Sequence, residues 1–282
     1  MSNLLLAWDN AVLNSFNLYA DGWWTFDASA ANLGIESLSM KWVTPGLSAA
    51  ATRLTCGFNI PSPYSNQSVV LVALCNHNLS TSATVRVRAS NYTDFVTDGP
   101  LYDSGNLAAY PAAAVSAGAA VLPGLRRNWI LKLPSTVSAQ YWRFEIIDGS
   151  NPDGVVTVGR IFAATRLWQP SINMLYGASI GWEDNSSAAV ALNGAEWFTN
   201  VSGCRVAKFQ LEPMPTTEMM ANVFELQRCA ATGRREVIFQ YDPADTTEAV
   251  RRSMLGRLRQ LSALEEPYYS RLKAAFEIKE LL

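Results

Sequence analysis

The segment Tyr141–Pro170, YWRFEIIDGSNPDGVVTVGRIFAATRLWQP, restricts the chain more than any other stretch of it. Trp142, Phe144 and Ile146 alternate with Arg143 and Glu145, the period-2 pattern of a strand with one buried face. From Asp148 to Gly154 the chain gathers turn formers, and Val155 to Phe162 resumes a β-branched apolar run. The pattern predicts a hairpin closed by a seven-residue loop. Pro170 ends it, because proline has no N–H to give to a ladder and restricts the residue before it. A second unit is expected to begin at residue 171.

The 282 residues suffice for one large domain or two ordinary ones with a real core. An aromatic share of 11% suits β-rich proteins and interfaces, which bury such surface. A formal charge of -2 leaves no global basic field, which argues against nucleic acid as the main partner. Charges are denser after residue 171 and mixed in sign, as on solvated faces or in ion pairs between subunits. Cys56, Cys75, Cys204 and Cys229 form no CxxC pair and His77 is the sole histidine, so a zinc site is not expected. Cys56 and Cys75 can meet across a sheet, but buried free thiols are the simpler state. The start MSNLLLAWDN has no cationic signal region, and no stretch approaches the ~20 apolar residues of a membrane span. This reads as a chain made and folded in a cytoplasm.

Residues 1–22 read as short strands or irregular chain. Strands are then expected over Trp23–Phe26, Ser37–Val43, Thr52–Ile60, Val69–Asn76, Ala83–Ala89 and Asn128–Leu133, separated by turn formers, and many short strands at such spacing indicate an all-β sandwich or jelly roll over residues 23–170. Val85 and Val87 alternate with Arg86 and Arg88, giving one wet face, whereas Val69–Leu74 does not alternate and suits a strand covered on both sides. Ala108–Pro123 reads equally as helix or long exposed loop. In residues 171–282, strands are expected at Leu175–Trp182 and Arg205–Leu211. A helix follows, capped by Thr216 or Thr217, with Glu218 early, an apolar stripe of Met219, Met220, Val223, Phe224, Leu226 and Ala230, a stop at Gly233, and Arg228, Arg234 and Arg235 at its negative end. Strands at Glu236–Tyr241 and Leu255–Leu264 lead to a last one from Tyr268 to Ile278, which at ~3.3 Å per residue spans roughly 35 Å and reaches beyond its own sheet. This order implies a compact β-barrel or sandwich with one helix packed on it.

No phosphate-binding loop, dinucleotide fingerprint, nucleophile elbow or zinc-protease motif is present, and no cofactor is implied. A triad could be built only around His77, whose plainer role is a hydrogen-bonded imidazole at a strand end. Asp148, Asn151 and Asp153 offer oxygen ligands to a hard cation, or simply make a turn. Glu183 and Asp184 beside Trp182, with Glu196 before Trp197, suggest a glycosidase-like carboxylate pair, or loop and interface groups. Trp23, Trp24, Trp168, Trp182 and Trp197 can form a sugar-stacking face, or belong to the core and subunit contacts. On balance the chain is expected not to be an enzyme.

Several stretches carry a family likeness: Leu74-Cys-Asn-His-Asn-Leu-Ser80 leading to Ala83-Thr-Val-Arg-Val-Arg88, Leu101-Tyr-Asp-Ser-Gly105, Tyr141-Trp-Arg-Phe144 and Gly159-Arg-Ile-Phe162. Together they resemble the galactose-binding-like (discoidin-type) jelly roll found in tail proteins of tailed bacteriophages. Lys208-Phe-Gln-Leu211, Gly256-Arg-Leu258 and Phe276-Glu-Ile-Lys-Glu-Leu281 resemble the ending of the same proteins, a split β-barrel of distal tail and tube proteins. The resemblance implies a mainly β fold: a galactose-binding-like β-sandwich over 23–170 and a ring-forming barrel or sandwich with one helix over 171–282. It further implies a virion component of the tail tip or baseplate, assembled in the host bacterial cytoplasm. As a hexameric or trimeric ring it would join the tail tube to hub and fibre proteins. On that reading Arg257, Arg259, Arg271, Lys273, Glu277 and Lys279 lie at subunit contacts or face the lumen, or else form a solvated face. The competing implication is a carbohydrate-binding module or glycan-degrading tail protein that contacts host surface sugars.

Overall fold

The computed structural model describes residues 2–14, 17–20, 29–35, 37–49, 51–57, 67–97, 99–233 and 236–282. Its strands in chain order are β1 (Leu5–Asn10), β2 (Asn17–Ala20), β3 (Trp42–Val43), β4 (Arg53–Gly57), β5 (Gln67–His77), β6 (Thr84–Ser90), β7 (Tyr102–Asp103), β8 (Leu107–Ala108), β9 (Arg127–Ala139), β10 (Tyr141–Ile147), β11 (Thr157–Val158) and β12 (Arg160–Trp168). After Pro170 come β13 (Ser179–Glu183), β14 (Ser187–Val190), β15 (Glu196–Thr199), β16 (Cys204–Pro215), β17 (Glu236–Gln240), β18 (Ser253–Leu258), β19 (Glu265–Tyr268) and β20 (Arg271–Glu280). Beside single 3-10 turns at Ala11–Asn14 and Ala30–Gly34 there are a short helix α1 (Ala112–Ser116) and a long helical run α2 (residues 216–231), so the fold is mainly β with one substantial helix. The expected strand at Trp23–Phe26 and the helix-end Arg234 and Arg235 lie outside the described residues.

One sheet runs through most of the molecule in the order β13-β16-β20-β18-β17-β1-β12-β5-β9, with β19 paired to β20. Strand β1 sits at its centre. Leu6 is opposite Trp168 of β12 on one side and Phe239 of β17 on the other, so the first strand of the chain joins the strands before and after residue 171. A second sheet, β2-β4-β10-β6-β7, lies over the β12-β5-β9 end. Val85, Val87, Trp142, Phe144 and Ile146 from this sheet share a core with Val69, Val72, Leu74, Ile161 and Ala163 from the large one, which makes a β-sandwich.

At its other end the same face of the large sheet is covered by α2. Met219, Val223, Leu226 and Cys229 pack on Leu6, Trp8, Phe209, Phe239, Phe276 and Ile278, with Phe209 stacked between Phe239 and Phe276. The opposite face curls around a third core of Leu5, Ala7, Leu71, Ala73, Phe162, Ile238 and Leu255, and this brings β9 close to β18 across a seam with no ladder. Strand β5 is therefore covered on both sides, as its unbroken apolar run requires.

Several expectations need correction. The segment 141–170 is not a hairpin: β10 is flanked by β4 and β6, and β12 by β1 and β5, so neither has an edge left for the other. They face each other across the sandwich core, and the intervening loop crosses from sheet to sheet. The last strand does not run on from Tyr268. Ser270, at φ 57°, closes a tight turn that pairs Tyr268 with Arg271, and β20 lies inside the sheet between β16 and β18. The strands after residue 171 form one end of an open sheet with α2 packed on it, so of the expected barrel or sandwich the closed barrel does not form. Only Trp42–Val43 of the expected 37–43 strand forms, Ser253–Leu258 replaces 255–264, and α1 occupies part of the ambiguous 108–123 stretch. In α2 the buried stripe is Met219, Val223, Leu226 and Ala230, while Met220 and Phe224 face outward. Neither Thr216 nor Thr217 caps it, since Pro215 holds that position.

The seam is closed by charge. Arg205 is 2% exposed, and its guanidinium is fully used: Glu280 takes Nε and Nη2, the carbonyls of Val250 and Arg251 take Nη1, and the Arg126 carbonyl takes Nη2. One side chain thus ties the segment entering β9 to the segment entering β18 and to the end of β20. Removing one partner strands the other charge in a desolvated site, which costs more than the pair contributes. We expect Arg205→Met and Glu280→Leu each to destabilise the protein by about 3–5 kcal/mol. The double variant should lose clearly less than their sum in urea denaturation.

Candidate functional site

The 179–204 region carries a hairpin that stands off the packed sheets. Strand β13 pairs with β16 from Ser179↔Lys208 to Glu183↔Cys204, and the two chains continue beyond the sheet as the hairpin β14–β15, from Ser187↔Thr199 to Val190↔Glu196. The tip is closed by Ala191 N–H donating to the Ala195 carbonyl at 2.8 Å, with Gly194 in the left-handed region at φ 83°. Every residue of both strands is exposed, including Val190, Trp197 and Phe198, and Leu192 at the tip touches almost nothing. A two-stranded hairpin of this length is marginal in water by itself. Apolar side chains set out along it favour a covered state.

The outer edge of β13 also has no strand partner among the described residues, so its backbone N–H and C=O groups form an open template. Trp182, 59% exposed, stands on this strand beside a cleft of about 350 Å³ lined by Leu122, Leu125, Ile180, Glu248 and Arg251.

On the opposite face of the same strands lies a ladder of charges. Glu183 reaches Arg259 and Lys279, each at 2.7 Å, while Glu277 takes Arg259 at 3.0 Å and Lys208 at 3.3 Å. The hydrogen bond from Lys279, reinforced by Arg259, holds the Glu183 carboxyl below the usual range. Parity on β20 is as the sequence predicts, with Leu272, Ala274, Phe276 and Ile278 buried and Arg271, Lys273, Glu277 and Lys279 on the other side. Of the six charged residues singled out, Arg259 and Lys279 converge on Glu183, and Glu277 joins them through Arg259. Lys273 instead meets Glu265 at 2.7 Å, and Arg257 and Arg271 make no ion pair among the described residues.

Among the described residues the tryptophans do not share one platform. Trp168 is buried against α2 and donates to Glu218 at 2.9 Å, Trp182 and Trp197 are exposed on the ribbon, and Trp23 and Trp24 lie outside the described residues. Nor do the acidic residues pair: Glu183 is held by two cations, Asp184 accepts from the Ser186 N–H at 2.8 Å, and Glu196 stands on the hairpin. The Asp148 loop is a structural tie. Buried Asp148 accepts from the Ser80 N–H and the Asn151 amide, each at 2.9 Å, and Asp153 accepts from Asn78 at 2.8 Å. No cluster of metal-ligating side chains occurs among the described residues. All four cysteines are buried free thiols, with Cys56 and Cys75 in different sheets.

The sequence reading missed the hairpin. Its signal was present in Asn193-Gly194, a turn dipeptide between Ala188-Ala-Val190 and Trp197-Phe198.

No protein-family profile and no curated protein matches this chain. Among solved structures, chitosan-binding module 1 from a chitosanase/glucanase of Paenibacillus sp. IK-5 is 13% identical with a TM-score of 0.36, covering 57% of this chain and 98% of that one. The family 32 CBM of Clostridium perfringens NanJ, solved in complex with galactose, is 11% identical with a TM-score of 0.36, over 56% and 98%. Overlap at this level bears on neither binding nor activity.

His77 is placed as a strand-end imidazole, 3% exposed, whose Nδ1 accepts from the Leu79 N–H at 3.2 Å. Burial, then the charges of Arg127 and Lys41, lowers its pKa to about 3. An unfolded histidine protonates near 6.5, so between these values the unfolded state binds the extra proton and stability falls as pH falls. We expect His77→Gln to remove this dependence, a difference of up to roughly 5 kcal/mol between pH 6.5 and 3. Urea unfolding of both proteins across that range would measure it, because the carboxylates common to both cancel.

Proposed function

We propose that this protein is a structural subunit that assembles with copies of itself, and that the assembly is the tail tip or baseplate of a tailed bacteriophage. The observation that carries the reading is the exposed β14–β15 hairpin, an apolar arm continuous with an open sheet edge. A second copy is the occupant that fits best. The large sheet carries open strands at β13 and β19, so addition of one copy's strand to another's edge would continue the ladder from subunit to subunit. The arm would then be covered by the neighbour, and a head-to-tail contact of this kind closes a ring when its rotation allows. The resemblance of Lys208–Leu211 and Phe276–Leu281 to distal tail proteins supports placing such a ring between tail tube and hub or fibre proteins.

In this role the charged ladder keeps the sheet face soluble and in register, and no group of side chains is assigned to bond-making chemistry. A second reading, a glycan contact, rests on Trp182, whose exposed ring beside a cleft with Glu248 and Arg251 provides an apolar stacking surface with polar neighbours.

Sedimentation and mass photometry separate the two. The full chain is expected to form a discrete oligomer, and Leu192→Asp with Trp197→Ser to shift it to monomer by at least tenfold in dissociation constant while leaving the unfolding midpoint nearly unchanged. A chain that stays monomeric at tens of micromolar and binds polysaccharide through Trp182 would overturn the assembly reading.

A further inference from the structure

Two arginines share one carboxylate where the sandwich meets the C-terminal strands, and two further cations have no carboxylate partner among the described residues. Glu280 holds Arg205 and, at 3.5 Å, Arg126. Among the described residues the next side chain, Arg127, engages only neutral oxygens, and only through Nη1: the Leu79 carbonyl at 3.0 Å and the Tyr110 hydroxyl at 3.2 Å. Half-buried Lys41 has the Asn76 side-chain oxygen 3.4 Å away and no carboxylate partner among the described residues. Its pKa is lowered by burial, then by the charges of Arg126 and Arg127, so the three cations act on one another. His77 is opposite Arg127 in the β5–β9 register. Because its Nδ1 accepts a hydrogen bond, its proton is on Nε2, and that buried N–H has no acceptor among the described residues. A partly desolvated group of one sign, in a chain of net charge -2, carries a cost that the fold itself leaves uncompensated.

We propose that Lys41, Arg127 and the Nε2–H of His77 form a binding site for an oxyanion, the phosphate or carboxylate group of a small ligand. Nε and Nη2 of Arg127 are the planar pair of donors that grips such a group side-on. Lys41 adds a point charge, and the neutral imidazole adds a donor that needs no protonation. Arg126 raises the local potential without leaving Glu280. A neutral sugar gains little from this arrangement, so the site selects for charge. It is independent of the arm and of any ring.

The single histidine makes the test direct. With the full chain labelled with ¹⁵N-histidine, inorganic phosphate and, in parallel, acetate are titrated against chloride at constant ionic strength. A saturable shift of the His77 Nε2–H resonance is expected, and whichever anion produces it at lower concentration identifies the favoured group. Lys41→Gln should weaken the midpoint at least tenfold. Arg127→Lys, which keeps the charge but loses the planar pair, should also weaken it, and gives the same comparison if the first variant folds poorly. No saturable shift with either anion, or an unchanged midpoint in a folded variant, would overturn the proposal.

Discussion

The backbone hydrogen bonds on the two edges of β1 are the constraint on which the rest of the structure depends. Among the described residues, Leu5–Asn10 is the strand that pairs with both β12 of the sandwich and β17 of the C-terminal half, so its register sets how the two halves meet. Its side chains serve both faces. Leu6 and Trp8, with Leu4 just before the strand, complete the core beneath α2, while Leu5 and Ala7 enter the curled core behind it. Asn10 anchors the end of the strand through the Ile161 carbonyl and the Ala163 N–H. A one-residue slip would exchange the two apolar sets and leave these backbone groups unmatched.

Curling the sheet creates a seam, and polar chemistry fills it. The fully satisfied Arg205–Glu280 pair closes one part of it. Arg160, Glu236 and Asn10 make a second buried polar group, with Arg160 also holding the Leu33 carbonyl at 3.1 Å. Such pairs add little net stability compared with apolar packing, but they penalise every arrangement that separates their partners. They specify which strands approach across a gap that no ladder bridges. The same concentration of cations, beyond what Glu280 can neutralise, leaves Lys41 and Arg127 as the charge excess from which the oxyanion site follows.

The hairpin arm obeys the opposite logic. Nothing among the described residues buries Leu192, Trp197 or Phe198, although the cores of this protein exclude solvent almost completely elsewhere. Clustered on one hairpin, these side chains are the exposed apolar element on which the assembly proposal rests. The charged ladder around Glu183 is no such element, because its carboxylates and cations already answer one another.

Alternation along β6, β10 and β20, the unbroken run of β5 and the apolar stripe of α2 were legible in the chain, because which side chain turns inward follows from the pleat or the helical turn within a few residues. Pairing was not legible in the same way. Tyr141–Ile147 and Val155–Phe162 carry the marks of a hairpin, yet each has both edges occupied by strands distant in sequence, and a turn-forming loop serves equally to reverse a strand or to carry it to another sheet. The exposure of Trp182 and Trp197, the burial of Trp168 and the placing of Arg127 opposite His77 were decided in the same manner, by which surfaces remained uncovered once every edge had been assigned. Local periodicity sets the inside and outside of each element; only the competition of all elements for a limited number of edges and faces sets which neighbours, charges and gaps result.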